Sequence, residues 1–350
     1  MNGKRKQKGS VLIFSLWALA FLSVFAVQIG MRIRQRATLV VRLEERSQLR
    51  YAAEAGIKKA ISALKKDAMR HQTDAGNYSK KYLFNNEDIF KNIGLGNAKT
   101  DVFYTAYDGP LGKPQKRHGF VDGASKLNIN TASKDELARL IQNALNSNAE
   151  DAKALSRAIL GWRQLGEGEM EGFYSDDFYA SRPDSYSSKD TNFEVLDELL
   201  LVKGFNNSIF EKILPDITVY GNGLVNINTT SRKVLSALGL SDSTVDKILL
   251  VRRGADQVDA TGDDYIFKKA HDIASEMLQF IQLEMDEIKE IDRLNQAKRI
   301  STADSSFYFI VAKSNLEGKK QAATATCVYN LTDNKIVYWR EKFEYLVASQ

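Results

Sequence analysis

Apolar residues follow three different rhythms along this chain, and each predicts a different kind of element. Residues 11–31 form an apolar run broken only by Ser15, Ser23, Gln28 and Gly30. At about 1.5 Å per residue, a helix of that length crosses a hydrocarbon layer of roughly 30 Å. Beyond it apolar positions continue at helical spacing through Leu39, Leu43, Ala53, Ile57, Ala60, Ile61 and Leu64, and no proline occurs before Pro110. The pattern predicts one continuous helix over 10–66. It spans a membrane over 11–31 and is amphipathic further out, with Arg42, Glu45, Arg46 and Lys59 on the wet side.

The third, rich in β-branched and aromatic residues, predicts strands. One covers 101–108, and three more cover 306–312, 322–331 and 335–343, separated by turn sequences at 315–318 and 332–335. The last three read as an antiparallel meander. Laying that sheet on the amphipathic half of the long helix buries both apolar faces, so the fold class is α+β.

Between the strand regions, residues 122–295 are mostly helical, with polar connectors at 74–81 and 92–99 before them. This stretch contains a near-repeat: Asn-Ile-Asn-Thr at 128–131 returns at 226–229, and Ser133 returns as Ser231. Each copy reads as a short extended piece followed by an Asn or Thr N-cap and a helical run, at 134–145 and 232–238. Glu136 follows Thr131 at close to capping-box distance. A strand-to-cap hinge used twice is a structural device and names no activity.

Charge places the ends. Lys4, Arg5, Lys6 and Lys8 run into Gly9 and Ser10, so the small-residue junction lies before the apolar run. A secretory signal peptide would have its cleavage site after that run. A peptidase cutting between Gly9 and Ser10 leaves the helix on the protein; an uncleaved signal anchor is the alternative. Basic residues stay on the cytoplasmic side, which orients the N-terminus inward. Arg32, Arg34 and Arg36 on the far side oppose that orientation. The chain is +5 overall, and cleavage would leave +1. Residues 10–50 carry six arginines and two acids, so residues 51–350 sum to −3. A nucleic-acid binder normally has a basic face instead.

Cys327 is the single cysteine, which excludes an intramolecular disulfide. At 350 residues the chain is long enough for two folded units beyond its membrane helix. His71, His118 and His271 stand in unrelated polar segments without ligand spacing, which suits solvated or capping histidines. No Gly-x-Ser-x-Gly, phosphate loop or His-Glu-x-x-His occurs, so no enzyme is expected.

The basic leader, Gly9, Ser10 and the apolar helix resemble a type IV prepilin leader. The motif at 128–133 with Glu136 and Leu137, then Asn192, Phe193 and 197–204, resembles the helix-hairpin-helix pattern of competence-type DNA receptors. It is also similar to the inserted helical domain of the K-type minor pseudopilins of type II secretion systems. A DNA-binding hairpin needs a glycine turn, so that backbone N–H groups can approach a phosphate. The stretch 140–148 has none, and residues 120–205 carry a net −6. The K-type resemblance covers nearly the whole chain. Counting Ser10 as the first mature residue, the fifth is Phe14, where most pilins place a glutamate that pairs with a neighbour's amine. The K type usually lacks it.

That resemblance implies a prepilin leader at 1–9, a long helix at 10–66, a pilin-like domain at 67–121 and 300–350, and an inserted helical domain at 122–299. It implies a minor pseudopilin at the pseudopilus tip, N-terminally methylated, single-pass in the inner membrane with its globular part in the periplasm. The implied partners are other minor pseudopilins, the major pseudopilin and the prepilin peptidase, with no nucleic acid. The alternatives are a type IV pilus minor pilin and a membrane-tethered DNA-uptake receptor. Relatives often bind calcium through an acidic loop of the helical domain. Here the matching segment, 161–166, is not Asp-rich, but Glu169, Glu171, Asp176, Asp177 and Asp190 could supply the oxygens calcium prefers. Asp256, Asp259, Asp263 and Asp264 form a second acidic cluster.

Overall fold

The computed structural model describes residues 8–70, 83–108, 113–163 and 175–345. Helix α1 (Lys8–Arg70) is continuous over 63 residues, two residues longer at its start and four longer at its end than its apolar spacing predicts. At about 1.5 Å per residue it is roughly 95 Å long. Its first half, through Leu43, lies exposed, with side chains such as Phe14, Trp17 and Phe25 touching no folded core. Its second half buries Leu49, Ala52, Ala53, Ile57, Ala60 and Leu64 completely. The expected stripe therefore begins at Leu49, and Leu39 and Leu43 are exposed.

The short helix α2 (Glu87–Phe90) leads into strands β1 (Ile93–Leu95) and β2 (Ala98–Val102). The single strand expected over 101–108 is broken at Phe103. β2 joins the main sheet, while β3 (Tyr104–Asp108) turns away to pair with β4 (Lys113–Arg117). Strand β5 (Val121–Asp122) closes this part.

The inserted helical region then holds, in order, β6 (Leu127–Asn128), α3 (Lys134–Leu145), α4 (Ala149–Arg163), α5 (Ser175–Ala180) and α6 (Asn207–Ile213). It continues with β7 (Ile217–Thr218), β8 (Val225–Asn226), α7 (Arg232–Ala237), α8 (Asp242–Arg252), α9 (Ile273–Met277), α10 (Met285–Gln296) and β9 (Ile300–Ser301). Its core is separate from the one under the sheet and runs from Leu127 to Ile300.

Strands β10 (Phe307–Leu316), β11 (Gln321–Asn330) and β12 (Lys335–Tyr345) form the expected antiparallel meander. The sheet order is β1-β2-β10-β11-β12, with β5 paired to the start of β10. Side chains of β10 alternate, and the inward set includes Tyr308, Ile310 and Ala312. These pack on α1 with Phe90, Val102, Phe120 and Cys327. Helix and sheet approach so closely that a Cβ on Gly56 would lie 2.7 Å from Thr100 Cγ2 and 3.1 Å from Ala312 Cβ. Ser314 Oγ donates to the Leu49 carbonyl at 2.6 Å, fixing the sheet along the helix.

Candidate functional site

The inserted region is built twice from one plan. In the first unit β6 and β7 pair in parallel, and in the second β8 and β9 do the same. After each strand the Asn-Ile-Asn-Thr sequence tightens into a turn: Thr131 and Ala132 donate to the Asn128 carbonyl, and Thr229 and Thr230 donate to the Asn226 carbonyl. The central asparagines act as identical clamps. Asn130 Oδ1 accepts the Phe193 amide at 2.8 Å and its Nδ2 donates to the Phe193 carbonyl at 2.9 Å. Asn228 holds Phe267 with the same two bonds, at 2.9 Å each.

An arginine closes each turn from the end of the following helix pair. Arg163 donates to the carbonyls of Ile129 and Ala132. Arg252 donates to those of Ile227 at 3.0 Å and Thr230 at 2.7 Å. Both guanidiniums are almost fully buried, and burial pulls that of Arg163 below its usual range against the charge of Glu136. The repeat read from sequence was only the turn of this duplication; Arg163, Arg252, Phe193 and Phe267 lie too far along the chain to align by eye.

The helix caps differ from the expected ones. Ser133 and Ser231, rather than an Asn or Thr, sit at the N-caps of α3 and α7, each Oγ accepting an amide in the next turn. Ser133 and Glu136 complete a capping box, and Arg299 donates from Nε and Nη2 to the two Glu136 carboxylate oxygens at 2.9 Å each. Serine wins because it directly precedes the first helical residue.

The hairpin argument also needs correction. Between α3 and α4 the left-handed position is taken by Asn146 at φ 50°, a residue that tolerates it without glycine. Between α7 and α8 a glycine is present, Gly239 at φ 88°. The N-terminus of α8, which would receive a phosphate in a DNA-binding hairpin, is filled by the protein itself. Glu290 accepts from the Ser241 amide and Oγ at 3.0 Å each and from Thr244 Oγ1 at 2.6 Å. Arg139 and Arg293 are turned onto the carbonyls of Ala237 and Gly239.

One buried carboxylate ties the insertion to the sheet. Asp122 accepts from the amides of Ala124 and Ser305 through Oδ1, and from Asn226 Nδ2 and Thr229 Oγ1 through Oδ2. Burial pushes its carboxyl above the usual range, against four donors that favour the charged form. Tyr220 stacks on Phe307 with centroids 5.5 Å apart, and Asp197 meets Tyr338 and Arg340 of β12.

The first acidic loop is only partly within the described residues. Glu169 and Glu171 lie outside them, and Asp176 and Asp177 fall in α5. Asp190 adopts φ 59°, and its Oδ1 accepts from Ser188 Oγ at 2.9 Å. In the second cluster, oxygens of Asp256, Asp263 and Asp264 lie within 4.8 Å of one another, suited to a hard cation with oxygen ligands. Asp259 is not part of that group, because Arg252 and Arg253 hold its two oxygens at 2.8 and 3.0 Å. Among the histidines, His71 lies outside the described residues and His271 is exposed. His118 is neither solvated nor a cap. It is buried between Glu87 at 3.4 Å and Asp101 at 3.7 Å, because the chain after β4 folds back under α2.

Residues 120–222, which enclose the whole first unit, match the family model of type II secretion system (T2SS), protein K. Over that segment the chain is similar to protein K. The resemblance to K-type minor pseudopilins read from the leader, long helix and repeated motif is thereby borne out. The fold agrees: a chain in the crystal structure of the GspK-GspI-GspJ complex from the enterotoxigenic Escherichia coli type 2 secretion system superposes with a TM-score of 0.57. The two are 12% identical, and the match covers 88% of this chain and 99% of that one. No curated protein matches. Gly9 and Ser10 fall in the first turn of α1, and Phe14 is 77% exposed on its apolar length.

Proposed function

We propose that this protein K relative is a membrane-anchored minor pseudopilin that sits at the tip of a pseudopilus and initiates or caps the filament driving export across the outer membrane. The observation carrying this reading is the division of α1. One half packs on the chain's own sheet, while residues 11–31 carry an apolar surface that meets nothing else among the described residues. In a bilayer, such a helix finds partners only among other membrane helices.

The likeness to a chain of the GspK-GspI-GspJ complex supports other minor pseudopilins as those partners. The major pseudopilin and the prepilin peptidase follow as further partners, with cleavage at Gly9, the inner membrane as the location and the folded part in the periplasm. The carboxylate-filled N-terminus of α8 supports assembly over DNA uptake, since an anion already occupies the place a phosphate would take.

Phe14 supports the tip position, because a subunit with none ahead of it has no amine for a carboxylate to meet. Phe14→Glu would place an unpaired charge in lipid near one end of the span, at a cost of at most about 2.5–3.5 kcal/mol, the figure for a charge at the helix centre. It should impair secretion and assembly, whereas Phe14→Leu should be tolerated. Normal secretion by Phe14→Glu, with the other minor pseudopilins still co-purifying, would remove the tip assignment.

A further inference from the structure

The arginines just past the apolar run oppose the orientation that the leader imposes, and the structure shows them unused by the fold. Arg32, Arg34 and Arg36 follow Met31 directly on the uninterrupted α1. All three are exposed, and none pairs with a described acidic side chain. Helical geometry puts Arg32 and Arg36 on one side and Arg34 nearly opposite, so they ring the helix. Between Val11 and Leu43 there is no acidic residue at all. The first ones, Glu44 and Glu45, come two turns later, and Glu45 is held by Lys319 at 2.6 Å. Arg42 is exposed as well, but further along Arg46 lies over the Phe343 ring at 4.1 Å, and Arg50 pairs with Glu341 at 3.1 Å. The fold consumes Arg46 and Arg50, and it leaves Arg32, Arg34 and Arg36 free at the height where the apolar surface stops.

We propose that Arg32, Arg34 and Arg36 form a guanidinium collar that binds the phosphates of anionic phospholipids at the outer face of the membrane spanned by residues 11–31. This rests on the membrane-anchored reading above. The chemistry suits the residue type: a guanidinium forks onto two phosphate oxygens, and all three positions are arginine with no lysine. The placement suits it too, because an apolar run of about 30 Å sets Arg32 at headgroup level and Arg36 within one further turn. After cleavage at Gly9 the inner end would keep only the terminal amine, so the collar becomes the main charged anchor and fixes how deep the helix sits.

The test is spin-label spectroscopy on the full chain in phosphatidylcholine vesicles containing trace spin-labelled phosphatidylglycerol or phosphatidylcholine. Lipid immobilised at the helix gives a restricted component, whose amount reports insertion. The ratio between the two lipids reports headgroup choice. Wild type should prefer phosphatidylglycerol. The triple variant Arg32→Gln, Arg34→Gln, Arg36→Gln should keep the restricted component but lose at least the roughly five-fold preference that one interfacial arginine contributes. The matching triple lysine variant should be intermediate, since it keeps the charge and loses the fork. Lys4, Arg5, Lys6 and Lys8 are common to all, so the difference isolates the collar. A restricted component with no headgroup preference, or a preference unchanged in the glutamine variant, overturns the collar while leaving the anchor intact. So does an unchanged preference with loss of co-purifying pseudopilins, which would assign the arginines to protein partners. No restricted component in wild type would overturn the anchor and the collar together.

Discussion

Replacing Arg252 with methionine removes three hydrogen bonds while keeping most of the stem that packs beneath the second Asn-Ile-Asn-Thr turn. Two of the bonds go to the buried carbonyls of Ile227 and Thr230 and the third to Asp259 Oδ1. Bonds from a charged donor are worth about 1.5–3 kcal/mol each, so the loss is bounded near 9 kcal/mol. Arg253 still holds the other oxygen of Asp259 at 3.0 Å, and the stem still fills its space. The expected cost therefore falls to about 3–5 kcal/mol, the range for breaking a buried ion pair. Hydrogen exchange read by mass spectrometry on the full chain in detergent localises that cost. Amides of 227–230 and of α8 should lose roughly two to three and a half decades of protection, at 1.36 kcal/mol per decade. Arg163→Met should do the same to 129–132 and α4 while leaving the second unit protected. A loss below tenfold in the substituted unit, or equal losses in both, would refute the view that each arginine locks its own turn.

Other expectations follow from single contacts. Gly56→Val should lower the unfolding temperature, overpacking at about 1–3 kcal/mol against Thr100 and Ala312, whereas Gly30→Ala, with nothing within 4 Å, should be neutral. Burial alone would raise the Glu287 carboxyl, but Lys247, Ser243 and the Glu284 amide outweigh it and hold it at about 2. The folded state thus binds that proton less readily than the unfolded one, so this stabilisation is complete above pH 4.5 and fades as pH falls toward 2. Glu287→Gln should flatten that part of an acid denaturation curve. If calcium binds at either acidic loop, millimolar calcium should raise the melting temperature over a chelator control, and Asp263→Asn should abolish the rise if the Asp256 cluster is the site.

Much of this architecture was legible because it rests on local spacing and residue type. The apolar spacing gave α1 to within four residues, and β-branched and aromatic runs bounded by turn sequences gave the meander of β10 to β12, of which β10 alone shows strict period-2 burial among the described residues. The rest depends on partners remote in sequence. Strand β6 is two residues long and is a strand only because Ile217 and Thr218 lie beside it, about ninety positions on. Arg252 is an ordinary helix-end arginine until the turn at 227–230 folds over it. His118 reads as polar surface, and only the return of the chain under α2 buries it. At Phe103 the expected strand splits because β10 and β4 draw its two halves to different neighbours.

The central claim is that the apolar half of α1 exists to join other pseudopilin helices. Affinity purification of the full chain from its native membranes, after brief chemical cross-linking, tests it directly when the recovered proteins and the chain's own N-terminus are read by mass spectrometry. The other minor pseudopilins of a type II system should be enriched, and the chain should begin at Ser10. A chain that begins at Met1 and brings down no pseudopilin above an unrelated single-span control would contradict the account.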